Sequence, residues 1–166
     1  GGMSCRFDLM LEADHILLQG QPAADALEAY RALAMTPSSA ETLGATQAAL
    51  DTTVDYTKQR VQFGQPLASF QALQHRMSNM LIQTELTRSL IYAACNAADS
   101  GRDDAPRFAR AAKVKATTVG RKVSQEAIQL HGGIATTDEY IVGHFFKRIT
   151  ALESWVCSKG EALKEF

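Results

Sequence analysis

The sequence predicts an all-α protein, an up-and-down four-helix bundle with a short strand-like remnant at its N-terminus. Three observations lead there. Apolar residues recur with helical period in four segments that cover most of the chain after Ala23. Short stretches holding glycine, proline or capping residues separate those segments. The two-residue alternation of a strand occurs in one place only, between Phe7 and Leu18.

That opening reads Phe7-Asp8-Leu9-Met10-Leu11-Glu12, then Ile16-Leu17-Leu18, closed by Gly20 and Pro22. A lone strand is marginal in water, so residues 1–20 read as a tag-like Gly1-Gly2-Met3 start followed by the end of a β-domain whose other strands lie elsewhere. The bundle is expected over residues 21–166. Ala23 to Met35 is rich in Ala, Leu and Glu, and Thr36-Pro37-Ser38-Ser39 then predicts a restart or a kink, with Thr36 as N-cap and Pro37 in the first turn. Leu43, Gln47, Leu50, Val54 and Val61 form the next stripe, a helix to about Arg60 ended by Gly64 and Pro66. A helix from about Phe70 to Ser100 follows from Leu73, Met77, Met80, Leu81, Thr84, Ile91, Cys95 and Ala98, with Gly101 at its C-terminal cap. After Arg102-Asp103-Asp104, the residues Phe108, Ala112, Ala116, Val119, Val123, Ala127 and Leu130 carry a third helix to Gly132-Gly133. Thr137-Asp138-Glu139 offers capping chemistry for a fourth, in which Ile141, Phe145, Ile149, Leu152 and Val156 run to near the C-terminus.

Composition narrows the function. At 166 residues, 46% hydrophobic and 21% charged, the chain has the make-up of one globular domain. A formal net charge of -1 argues against nucleic acid as a partner. No apolar run approaches the roughly 20 residues of a membrane helix; Met80 to Ile82 is bounded by Asn79 and Gln83. Cys5, Cys95 and Cys157 are odd in number and far apart, which suits a reducing, cytoplasmic setting. The histidines, His15, His75, His131 and His144, make no metal-ligand spacing with one another or with the cysteines, and there is no Gly-x-Ser-x-Gly elbow. Asp51 and Asp55 share a helix face and read as solvated rather than as a catalytic pair.

Two segments interrupt the helices in a way that bears on chemistry. In Arg60-Val61-Gln62-Phe63-Gly64-Gln65-Pro66 with Phe70-Gln71, Arg60 offers a planar fork for a phosphate beside Gln62, Phe63 and Phe70. The same residues equally suit a plain helix hairpin, Arg60 complementing the helix dipole and both phenylalanines plugging the bundle end. In Gln129-Leu130-His131-Gly132-Gly133, paired glycines allow backbone amides to approach a ligand, or simply stop a helix. Glu153 and Trp155 read as a solvated carboxylate beside a bundle-end aromatic.

Taken together, Tyr56-Thr57-Lys58-Gln59-Arg60-Val61-Gln62-Phe63-Gly64 with Phe70-Gln71, and Gln129-Leu130-His131-Gly132-Gly133 followed by Thr137-Asp138-Glu139-Tyr140, resemble the two signature stretches of the C-terminal helical domain of acyl-CoA dehydrogenases. The resemblance runs from about Ala24 to Trp155. It implies a three-domain flavoenzyme that desaturates an acyl-CoA substrate with FAD held between subunits of a homo- or hetero-oligomer, a dimer or tetramer. It further implies that Arg60, Gln62 and Phe63 reach the ADP part of a neighbouring subunit's FAD, that Phe70 and Leu73 fall on further contact positions, and that Gln129, Gly132 and Gly133 face the same dinucleotide.

The resemblance also implies an absence. Family members usually carry a catalytic glutamate about two dozen residues after the paired glycines, and ungapped from Gly133 that position falls on Val156, between Trp155 and Cys157. The other position used in the family, in the first long helix, falls at Ala34 and Met35. No catalytic residue is therefore expected from this chain. Gly143-His144-Phe145-Phe146-Lys147-Arg148 is similar to a divergent branch that includes small subunits paired with a catalytic partner, so a non-catalytic assembly module stands as the alternative.

Overall fold

A computed structural model describes Arg6, residues 8–10 and residues 12–164. Helix α1 spans Gln21–Gln59, a two-stranded hairpin pairs β1 (Val61–Gln62) with β2 (Gln65–Pro66), and α2 spans Gln71–Asp99. Helix α3 (Ala105–His131), a 3-10 turn (Gly132–Thr136), α4 (Ile141–Glu153) and the short α5 (Lys159–Lys164) complete the chain. The all-α bundle expected from the sequence is the architecture found, with α3 packed against α1, α2, α4 and α5.

Four details differ from the sequence reading. First, α1 neither restarts nor caps at Thr36: it runs through Pro37 as one helix of 39 residues. Proline removes one N–H and frees the carbonyl four residues back, but Pro37 and Leu33 both lie on the exposed side, where solvent satisfies it. Second, the fourth helix stops at Glu153, because Val156 adopts a left-handed backbone (φ 71°) that no α-helix can contain. Third, Thr137-Asp138-Glu139 does not cap α4: its N-cap is Tyr140, and the Thr137 hydroxyl donates to the Ile134 carbonyl at 2.8 Å. Fourth, the strand-like opening contains no paired strand among its described residues, which hold only a 3-10 turn at Ala13–His15. Phe7 and Leu11, on which that reading also rested, lie outside the described residues. Strand pairing needs a neighbour, and none of the described residues offers one there.

The buried face of α1 is not the apolar stripe expected. It consists of Met35, Ser38, Ser39, Thr42, Leu43, Thr46, Ala49, Leu50, Thr53 and Thr57, whereas Val61 is exposed and outside the helix. The hydroxyls of Ser39, Thr42, Thr46 and Thr53 each donate to the carbonyl four residues back at 2.6 to 2.9 Å. Satisfied in this way, each threonine presents only a methyl group to its neighbours. On α2 the buried set is Met80, Thr84, Thr87, Ile91, Ala94 and Ala97, which leaves Leu81 half exposed instead of buried. The stripe expected on α3 is buried from Ala112 to Leu130, with Phe108 packed at the margin of the core.

The main core joins Ala49 and Leu50 of α1, Met80 of α2, Val119, Val123, Ala127 and Leu130 of α3, Ala135 of the 3-10 turn and Val142 of α4. It lies beneath the end of the bundle where α1 finishes and α3 opens into its glycine pair, so the segments singled out by sequence stand on the main core.

Candidate functional site

The end of α1 delivers Arg60 into a tight hairpin. Its amide donates to the Tyr56 carbonyl at 2.8 Å as the C-cap, and its carbonyl accepts from Leu67 at 2.8 Å. Val61 pairs with Pro66 and Gln62 with Gln65, leaving Phe63 and Gly64 as a two-residue turn. Both have positive φ, 55° and 81°, as a type I′ turn demands. Glycine adopts this readily; phenylalanine does so at a cost. The strained residue is 90% exposed, its ring meeting only Phe70 edge-on at 6.2 Å. This overturns the reading in which both phenylalanines plug the bundle end: Phe63 points outward, and the hairpin was not foreseen as strand at all.

Arg60 is exposed, and no carboxylate among the described residues pairs with its guanidinium. Arg76, Arg88, Arg102, Arg121 and Arg148 each bond an acidic side chain. Gln62 is exposed and turns its amide back onto the Val61 carbonyl at 2.9 Å. Phe70 is half buried and caps α2, its carbonyl accepting from Leu73 and Gln74. Leu73 packs inward against the main core.

On the other side, α3 ends at His131, and the C-cap Gly132 takes φ 68° and ψ -146°, a backbone that glycine alone adopts without strain. Gly133 is a different case: its φ is ordinary, and a Cβ built there would meet nothing within 4 Å. Nothing inside the described chain requires glycine at 133. Gln129 is exposed on the last turn of α3.

The two segments are joined by three rings that the sequence reading passed over. Tyr56 stacks on His131 with centroids 4.3 Å apart, and Tyr140 closes on His131 at 5.1 Å and on Tyr56 at 6.3 Å. The Tyr56 hydroxyl also donates to the His131 carbonyl at 3.3 Å. The turn before Arg60 is thereby fastened to the residue before Gly132. A signal existed in the sequence, since Tyr56 stands four residues before Arg60, His131 directly precedes the paired glycines and Tyr140 closes the second motif, but none of the three rings was given a role.

His131 is buried. Its Nδ1 lies 2.8 Å from the Ala127 carbonyl, an acceptor only, so Nδ1 carries the proton and Nε2 is a bare lone pair without a donor. Burial holds the imidazole pKa below its ordinary 6.5. With the folded value depressed, the unfolded chain binds the proton first, so stability is intact above pH about 6.5 and falls as pH drops toward the folded value. His131→Phe keeps a ring in the stack and removes the titration. Urea denaturation between pH 7.5 and 5 should show wild type losing stability relative to this variant, and parallel curves would exclude the effect.

Elsewhere, Asp51 accepts from Gln47 at 2.8 Å and Asp55 faces Lys58 at 3.7 Å, both on the exposed side of α1. They border a cleft of about 570 Å³ between α1 and α2, lined also by Val54, Gln74 and Met77. None of the eight predicted contact residues lines it. Among the described residues there is no cluster of three metal-ligating side chains, and no helix is long and apolar enough to cross a membrane. Glu153, expected to be solvated, is 20% exposed and ion-paired with Arg121.

The protein is a helical bundle that brings an exposed guanidinium and a glycine pair to the same end, joined through three stacked rings. Residues 27–156 match the family model described as acyl-CoA dehydrogenase, C-terminal domain, and the chain belongs to that family. It is 38% identical over 126 residues to acyl-CoA dehydrogenase IpdE2 of Mycobacterium tuberculosis, covering 76% of this chain and 38% of that protein. The butyryl-CoA dehydrogenase structure from Megasphaera elsdenii superposes with a TM-score of 0.87 at 28% identity, covering 93% of this chain and 40% of that one. A structure of PigA with FAD and proline superposes with a TM-score of 0.77 at 25% identity, covering 81% and 35%. The chain thus spans about two fifths of the length of these relatives.

Proposed function

We propose that residues 21–166 are the C-terminal bundle of an FAD-dependent acyl-CoA dehydrogenase, with residues 1–20 comprising a tag-like start and the end of its β-domain, and that the complete protein desaturates an acyl-CoA thioester between its α and β carbons. The observation that carries this reading is the ring stack of Tyr56, His131 and Tyr140, which fastens the helix end bearing Arg60 to the helix end bearing Gly132 and Gly133. The residues fit the group: an unpaired guanidinium suits a pyrophosphate, and Gly133 leaves an open approach to its backbone that nothing within the described chain uses. When bound, FAD would supply the hydride-accepting chemistry of the desaturation. The chain's own part is to hold and orient. Arg60 binds the diphosphate with Gln62 and Phe63 beside it, Phe70 and Leu73 support that edge, and Gln129, Gly132 and Gly133 face the dinucleotide. The outward placement of Arg60, Gln62, Phe63, Gln129, Gly132 and Gly133 suits a cofactor carried by a neighbouring subunit. The exposed Leu81, Ile82 and Leu86 of α2 suit the oligomer interface that such sharing requires. We place the protein in the cytoplasm.

Arg60→Ala in the complete protein is expected to weaken flavin binding by about 1.5 to 3 kcal/mol, the range of a hydrogen bond to a charged group, roughly a ten- to hundredfold rise in Kd. Flavin content after dialysis measures it, and full retention would refute the role of Arg60.

The reading as a small subunit without a base has its own support. Val156, on which the family glutamate falls when counted ungapped from Gly133, is apolar and left-handed; Met35 is fully buried; and Glu153 is held by Arg121 on α3. Taking an α-proton needs a free carboxylate within hydrogen-bond reach of the reacting carbon. Glu153→Gln is therefore expected to leave the single-turnover rate of flavin reduction nearly intact, the base being supplied by a partner subunit. A loss of several orders of magnitude, with flavin content preserved, would make Glu153 the base.

A further inference from the structure

Gly143 has an ordinary helical backbone in the first turn of α4, where alanine would serve the helix better. The reason for glycine lies across the chain: a Cβ at 143 would stand 2.9 Å from the carbonyl oxygen of Ala135, inside the 3-10 turn that begins with Gly132 and Gly133. That oxygen belongs to backbone, so it cannot swing aside as a side chain would. Ala135 itself is buried in the main core, which pins the turn from its other side. Two further residues of α4 grip the segment that follows. His144 donates from Nε2 to the Asp138 carbonyl at 2.9 Å, and Lys147 donates to the Asp138 carboxylate at 2.8 Å.

We propose that Gly143 is a positioning residue: by keeping the first turn of α4 bare, it lets the Gly132–Thr136 turn seat against that helix at the height at which its glycines meet the flavin dinucleotide, while His144 and Lys147 staple the outgoing chain through Asp138. The inference rests on the flavin reading above and adds to it the means by which the glycine pair is held. Positions fixed through packing and supporting hydrogen bonds are what a binding turn needs, because a displaced donor loses its bond.

The test compares Gly143→Ala, His144→Ala and Arg60→Ala in the complete flavin-loaded protein. Flavin Kd is measured by fluorescence titration at a temperature where circular dichroism shows each variant folded, and amide exchange is followed over residues 133–140. Gly143→Ala is expected to raise Kd roughly tenfold, the equivalent of one well-placed hydrogen bond, and to speed exchange across 133–140. His144→Ala should act in the same direction by about threefold. If Gly143→Ala does not fold, His144→Ala, which alters an exposed side chain, decides by the same two readouts. A lowered melting temperature with wild-type Kd in the folded protein would show a structural role only and overturn the proposal. So would unchanged exchange and Kd in both α4 variants while Arg60→Ala raises Kd. Wild-type Kd in all three variants would instead overturn the flavin reading, and this proposal with it.

Discussion

Lys113→Met is expected to destabilise the protein by about 2 to 4 kcal/mol, read as a lower midpoint in urea with an unchanged slope. Lys113 is 1% exposed, one of the largest fully buried side chains, yet among the described residues no carboxylate accepts from it. Its ammonium donates to the Leu152 carbonyl at 2.6 Å, to the Trp155 carbonyl at 3.0 Å and to the Ser38 hydroxyl at 3.4 Å. Three donors meet three acceptors, two of them carbonyls at the C-terminal end of α4, where a cation is favoured. Methionine fills the channel but leaves the Trp155 carbonyl without a donor and the Leu152 carbonyl with only the Trp155 N–H at 3.2 Å, and each buried group so deprived costs about 1 to 3 kcal/mol. Burial lowers the Lys113 pKa from its ordinary 10.5. A depressed folded value means that the unfolded chain keeps the proton longer as pH rises, so the stability contributed by Lys113 grows toward pH 10.5 and is smaller at neutral pH. The gap between wild type and Lys113→Met should therefore widen from pH 8 to pH 10. A constant gap would show that Lys113 does not titrate differently on folding.

Gly120→Ala and Gly44→Ala are expected to change stability in opposite directions, although each replaces glycine with the best helix former in the interior of a long helix. At Gly120 in α3 the new methyl carbon would lie 2.9 Å from Thr42 Cγ2, 3.1 Å from Ile149 Cγ2 and 3.2 Å from Thr46 Oγ1. All three neighbours are buried and β-branched, with stiff χ1 angles, and both threonine hydroxyls are already committed to α1 carbonyls. Overpacking of this kind costs about 1 to 3 kcal/mol against a helix gain of up to about 1 kcal/mol, a net loss of up to about 2 kcal/mol that lowers Tm by as much as roughly 8 °C for a chain of this size. At Gly44 in α1 the space is open, so only the propensity acts, raising stability by up to about 1 kcal/mol. Thermal melts of both variants check the pair. A neutral Gly120→Ala would mean that α1, α3 and α4 do not cross as closely as they do here.

How far the chain could be read without its structure varied with the physics behind each signal. The α3 stripe was legible from Ala112 to Leu130, because aliphatic side chains at helical spacing have one good place to go. The buried face of α1 was not, because Ser and Thr count as polar until their hydroxyls are known to be satisfied four residues back. Pro37 misled for a similar reason: what a missing N–H costs depends on whether the freed carbonyl faces solvent, and that is a tertiary fact. The hairpin at Val61–Pro66 was hidden by its shortness and by an unusual Phe-Gly turn.

The sequence by itself determined the helical class, the order and approximate ends of the long helices, and the two motifs that place the chain in its family, because these depend on local periodicity, on glycine and on residue identity. Only the tertiary structure decided what those motifs share. It joined them through Tyr56, His131 and Tyr140, left Phe63 exposed and turned Glu153 toward Arg121. It also gave Lys113, Gly120 and Gly143 their reasons. A buried ammonium, a helix crossing and a bare turn against a carbonyl are each defined by atoms distant in the chain, and no local pattern contains them.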